Sequence, residues 1–216
     1  VQAALADAQA AQAQAQADAD AVQALVDQQQ AALTAANAQR DAVLAHYDEL
    51  KAEAAKIESQ LAALAKQRGA GANAPALRPG AILLMPVRNA WKSSDFGMRY
   101  DPYYQVWQLH AGVDLAAAGG SPIYAAMAGT VVWAAWRGGN GNYTCIDHGL
   151  YQGRDLTTCY AHQSKFLVRT GQHVDRGQVI GLVGSTGAST GYHLHFEVRL
   201  NGTPVQPLDW LPACLC

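Results

Sequence analysis

Residues 129–162, GTVVWAAWRGGNGNYTCIDHGLYQGRDLTTCYAH, decide the fold. Three runs, GTVVWAAW, NYTCIDHG and DLTTCYAH, are rich in β-branched and aromatic residues and are set off by the turn cluster GGNGN (138–142) and by HGLYQGRD, a hairpin centred near Gln152. Such runs read as strands. The same pattern continues on either side in AILLMPV (81–87), SPIYAAM (121–127), QVIGLVGST (178–186) and HLHFEVRL (193–200), with NGTP (201–204) as a further turn. Because no amphipathic helical window lies between them, residues 81–216 are predicted to form an all-β, sandwich or barrel-like domain.

Composition changes abruptly upstream. All 20 glycines, 8 prolines and 4 cysteines follow residue 68, whereas residues 1–68 hold 25 Ala, 12 Gln and a single aromatic, Tyr47. That segment is too poor in large apolar residues to build a core of its own. Its apolar positions run Val1, Leu5, Ala8, continue through Val22, Val26, Leu33 and Tyr47, and end at Leu50, Ala54, Ile57, Leu61 and Leu64, in alternating steps of 4 and 3. This 3.5-residue repeat in good helix formers predicts one long helical arm over 1–68, roughly 100 Å at 1.5 Å per residue. Gln12, Gln29 and Arg40 weaken the seam, so the arm needs a helix partner: an upstream helix, a second copy or an envelope protein. It then serves either to position and regulate the β domain or simply to space it from an anchor. The seam is already in frame at Val1, from which we expect the helix to begin upstream. Residues 69–80, GAGANAPALRPG, read as a flexible linker.

Charge narrows the possible functions. Residues 1–68 carry 9 acidic and 5 basic side chains and the remainder 8 and 10, so neither part is a nucleic-acid footprint. No run approaches the ~18 apolar residues of a membrane span, and no basic start with an apolar run marks a signal peptide; because the chain opens with Val1 and not Met, we expect a mature or trimmed product whose export signal is lost.

Among the 7 histidines, His46, His148 and His173 read as surface or turn residues. The other four fall in spacings useful to a metal. His110 and Asp114 are four apart, about 13 Å on an extended strand, so the chain must bend between them, as Gly112 permits. His193 and His195 project from one face of a strand, their Cα atoms about 7 Å apart. His162 ends DLTTCYAH. Two His and one Asp make a catalytic-type zinc set, with a position left open for water.

Residues 96–198, including FGMRYDP, LHAGVDLAA, SPIYAAMAGTVV, NYTCIDHG, CYAH and GQHVDRGQVIGLVGSTGASTGYHLHFEV, resemble the lysostaphin and LytM-type zinc metallopeptidases that cut peptidoglycan peptides. The resemblance implies an antiparallel β domain of the duplicated-hybrid-motif kind holding one Zn2+, with His110, Asp114 and His195 as its ligands. His162 and His193 become the catalytic pair that does not bind metal. Tyr104 falls where some members place a tyrosine that stabilises the transition state. The mechanism implied is metal-assisted hydrolysis of cross-bridge or stem peptides. Family members that have lost zinc ligands, often with coiled-coil arms, activate separate cell-wall amidases, and a silent activator of that kind is the alternative. A metal amidase cutting the glycan-to-peptide bond is a third reading.

Cys145 and Cys159 lie on the two runs of the Gln152 hairpin, so a cross-strand disulfide is the preferred pairing. Cys214 and Cys216 are left with three options: a small ring, an intermolecular bridge or free thiols. A disulfide implies an oxidising compartment, outside the cytoplasm, secreted or in the cell envelope.

Overall fold

The computed structural model describes residues 1–68, 80–101 and 103–212, with Ala54 by its backbone only. The expected linker, except Gly80, and the Cys214 and Cys216 alternatives lie outside these residues. One helix, α1 (Gln2–Gln67), occupies the arm. The chain divides into two units, Val1–Asp48 and Glu49–Cys216. In the first unit every residue through His46 is exposed, the seam residues Leu5, Val22, Val26 and Leu33 included.

In the second unit the seam does find cover, but from a sheet. Ile57, Leu61 and Ala65 are buried, and Ile57 and Leu61 pack with Tyr143, Cys145, Cys159 and Ala161. Arg68, just past the helix end, pairs with Asp147 and Asp155. The last turns of the seam are thus complemented by a sheet, since apolar side chains at helical spacing fit any complementary apolar surface.

Among the described residues the β part contains thirteen strands in chain order. The first six are β1 (Trp91–Ser94), β2 (Gly97–Tyr100), β3 (Trp107–His110), β4 (Val113–Ala116), β5 (Pro122–Tyr124) and β6 (Gly129–Trp136). Next come β7 (Asn142–Tyr151), β8 (Arg154–Gln163), β9 (Lys165–Phe166) and β10 (His173–Val174). Last are β11 (Val179–Leu182), β12 (His193–Leu200) and β13 (Thr203–Val205). The main sheet has the order β1-β4-β12-β8-β7-β6-β10, with β13 beside β12; β5-β11-β9 and β2-β3 form two smaller sheets. All pairings described are antiparallel.

Two-residue periodicity sorts the main sheet into two faces. Ile146, Tyr160, Leu194, Phe196 and Val198 enter the main core together with Val113 and Leu115. Cys145, Cys159, Ala161, His195 and Glu197 point the other way. The β7–β8 hairpin turns at Gln152 and Gly153, both with positive φ, as a tight two-residue turn needs. Its register sets Cys145 opposite Cys159, and the two form a disulfide.

AILLMPV is not a strand. Leu83, Met85 and Val87 are buried, but Leu83 and Leu84 donate their amides to the loop carbonyls of Trp210 and Ala126. Pro86, lacking an N–H, cannot extend a ladder. The reading of strands passed over β1, β2, β3, β4, β9, β10 and β13, runs of two to four residues that are too short to show a period.

Candidate metal centre

β3 ends at His110, and the chain reverses through Ala111 and Gly112 into β4. Gly112 is needed for space: a Cβ there would collide with the Phe196 carbonyl oxygen and come 2.8 Å from Nε2 of His195. In the β4–β12 ladder Asp114 lies directly opposite His195, so register alone brings carboxylate and imidazole together. Nε2 of His110 is 2.9 Å from Nδ1 of His195, and Oδ1 of Asp114 is 3.1 Å from the first and 2.9 Å from the second. All three residues are buried.

The outer ring nitrogens are occupied. Nδ1 of His110 donates to the Asp95 carbonyl at 2.7 Å, and Nε2 of His195 faces Oε1 of Glu197 at 3.2 Å. That leaves Nε2 of His110, Nδ1 of His195 and the Asp114 carboxylate converging on one point, their ligand atoms within 4.8 Å of one another. Two imidazole lone pairs and a carboxylate facing one another with a single proton to share is a donor set that suits a metal cation.

His162 reaches this cluster against its strand's alternation. Ala161 pairs with His195 and shares its face, so a regular strand would turn His162 toward the core. His162 instead has φ 59°, and this left-handed step swings the ring back. Its centroid then lies 4.7 Å from that of His193 and 6.0 Å from that of His195. Nδ1 of His162 donates to the Thr186 carbonyl at 2.7 Å. The loop bearing Thr186 approaches so closely at Gly187 that a Cβ would strike Gly141, and Gly187 also has φ 75°. His193 places Nε2 3.6 Å from Oδ1 of Asp114 and directs Nδ1 to the Gly191 carbonyl at 2.9 Å.

The electrostatics follow from this geometry. Burial pushes the Asp114 carboxyl up, but hydrogen bonds from His110 and His195 and their charge outweigh it and hold the group well below the usual carboxylate range. Burial, then the neighbouring His195 and His193, push His162 down to about 3, so its ring is neutral. Burial opposes charge on His195 too, yet hydrogen bonds to Asp114 and Glu197 raise it to about 9. Arg99 adds a guanidinium 3.9 Å from Oδ2 of Asp114.

Five of the six side chains singled out from the sequence thus share one site. Tyr104 lies in the 101–106 turn, its hydroxyl against Gly139, where a Cβ would be 3.1 Å away. Burial, then Tyr103 and Asp101, push its phenol up to about 12. Of the histidines read as ordinary, His173 is exposed, whereas His148 is tied to the Ala128 carbonyl at 2.9 Å and to Thr158 at 2.8 Å. The sequence reading missed Glu197, Arg199 and Tyr143, which stand behind His195. A signal was present: in HLHFEVRL the polar residues continue at every second position beyond the two histidines.

Two histidines and an aspartate converging beside the β4–β12 ladder, with two further imidazoles alongside, form a site suited to a metal-dependent hydrolase. The chain matches the sequence model of Peptidase family M23 over residues 108–207. It is 46% identical over 130 residues to the DD-carboxypeptidase/endopeptidase Mpg of Neisseria meningitidis, covering 60% of this chain and 29% of the relative. It is 42% identical over 125 residues to the peptidoglycan DD-endopeptidase ShyA of Vibrio cholerae, covering 57% of this chain and 28% of that protein. The chain thus spans less than a third of the length of these curated relatives. Among solved structures, a zinc-containing peptidase from Vibrio cholerae superposes with a TM-score of 0.54 at 34% identity, covering 61% of this chain and 41% of that one.

Proposed function

We propose that the chain is the catalytic part of a zinc-dependent peptidoglycan endopeptidase of the cell envelope, cutting cross-bridge or stem peptides. One observation carries this reading: the convergence of His110, Asp114 and His195 on one point with His162 and His193 beside them. The likeness to Mpg, ShyA and the zinc-containing peptidase supports it and does not favour a silent amidase activator. The Cys145–Cys159 disulfide fits an extracytoplasmic location. Among the described residues no helix is long and apolar enough to cross a membrane.

Zinc would be held by Nε2 of His110, Nδ1 of His195 and the Asp114 carboxylate. When bound, it supplies Lewis-acid polarisation of the scissile carbonyl and lowers the pKa of water toward neutrality. Neutral His162 donates through Nδ1 to Thr186, which leaves its Nε2 lone pair to orient the attacking water and accept its proton. His162 then passes that proton to the leaving amine, and His193, with its ring centroid 4.7 Å away, hydrogen-bonds the oxyanion. Tyr104, still protonated at neutral pH, keeps its hydroxyl as a donor beside Gly139. In domain terms, residues 1–68 are the arm, 69–80 a linker and 81–216 the peptidase domain, with the last turns of the arm packed on the sheet.

The test is mass spectrometry of purified peptidoglycan after digestion, with and without a chelator. Chelator-sensitive release of peptides cut within a stem or cross-bridge is expected. Intact stem peptides freed from glycan would mean an amidase, and no release with zinc bound would overturn the hydrolase reading.

A further inference from the structure

We propose that Glu197 is the positioning residue of the His195 ligand, holding the imidazole in the tautomer that turns its Nδ1 lone pair toward the metal position. The inference rests on the metal site of the preceding section. His195 and Glu197 are two apart on β12 and therefore share a face. Oε1 of Glu197 meets Nε2 of His195 at 3.2 Å, on the side of the ring away from His110 and Asp114. A carboxylate only accepts, so Nε2 carries a hydrogen toward Glu197, and Nδ1, once the proton it shares with Asp114 is displaced, presents its lone pair.

The carboxylate is itself locked. Its other oxygen accepts from the Tyr143 hydroxyl at 2.9 Å and from Nε of Arg199 at 2.6 Å, and Arg199 also donates to the Gly202 carbonyl at 2.9 Å. Glu197 and Tyr143 are fully buried. Tyr143 lies under Ile57 and Leu61, so the end of α1 closes this network from solvent. A buried Glu–Arg pair serving stability alone would not need an oxygen on the imidazole. Here one carboxylate oxygen faces the supports and the other faces the ligand, the arrangement that fixes ring orientation and basicity at metal-bound histidines.

Two measurements on the full chain test it. In chelated protein held at a pH above the His195 value of about 9, where the ring is neutral, long-range 1H–15N correlation is expected to show hydrogen on Nε2 in the wild type and a mixture of tautomers in Glu197→Gln. In zinc titrations against a competing chromophoric chelator, Glu197→Gln is expected to bind about 10- to 100-fold more weakly, with Glu197→Asp in between. Should Glu197→Gln not fold, Tyr143→Phe, which removes one hydroxyl from the far oxygen, is expected to shift zinc affinity in the same direction by a smaller factor. An unchanged His195 tautomer and unchanged affinity in folded variants overturn the role of Glu197. Failure of the wild type to bind zinc would instead overturn the metal site itself.

Discussion

Nδ1 of His162 lies 2.7 Å from the carbonyl oxygen of Thr186, and this bond fixes which nitrogen of His162 faces the metal centre. A carbonyl only accepts, so the hydrogen sits on Nδ1 and the lone pair on Nε2. On the proposed function His162 is therefore oriented for proton transfer, and His110, Asp114 and His195 would hold the cation without it. His162→Ala is expected to retain one zinc per domain while hydrolysis slows by about 10²- to 10⁴-fold. Metal analysis alongside single-turnover digestion separates the two effects, and a variant that loses zinc would refute the division of roles.

The same burial gives His162 a pH signature. Its folded value is pushed from 6.5 down to about 3, so between these values the unfolded chain binds a proton that the folded chain does not. Stability therefore rises with pH across this window and is lost as pH falls from about 6.5 toward 3, by at most about 1.4 kcal/mol per pH unit from this group. Melting curves of chelated protein from about pH 7 to pH 4 are expected to fall more steeply for the wild type than for His162→Gln. Parallel curves would contradict the depressed value.

Asp114 bridges both ligand histidines, and its removal leaves two imidazoles with no anion between them. Asp114→Ala and His110→Ala are each expected to lower bound zinc from about one per chain to near zero and to abolish peptide release. Zinc retained at wild-type stoichiometry in either variant would exclude that residue as a ligand.

Leu61 is buried against the sheet face that carries Tyr143 and the disulfide. Leu61→Ala is expected to cost about 2–5 kcal/mol by denaturant unfolding. Deleting residues 1–48, whose seam is exposed, is expected to leave the unfolding midpoint of the compact unit nearly unchanged, whereas deletion through residue 68 uncovers Tyr143 and lowers it. If the longer deletion were neutral, the end of α1 would be a spacer and not part of the core.

Much of this was legible in one dimension because helix and strand impose short periods. The 3.5-residue seam announced α1, alternation announced β12, and a turn near Gln152 placed Cys145 opposite Cys159. AILLMPV misled for the same reason, since an apolar run signals burial but does not say where its amides will bond. The motif spacing and the family resemblance selected His110, Asp114, His162, His193 and His195. Glu197 escaped because a charged residue in a strand ordinarily faces water, and nothing local shows that Tyr143, 54 positions away, will meet it.

The sequence by itself determined the division into helical arm and β domain and which side chains carry the chemistry, because periodicity and composition are properties of neighbouring residues. Only the tertiary structure decided how those side chains face one another. Asp114 meets His195 across 81 residues because β4 and β12 pair in that register. His162 turns inward because its backbone goes left-handed, and the end of the seam settles on a sheet. Each outcome depends on the closure of long loops and on competition for apolar surface, terms that enter only when distant parts of the chain are packed together.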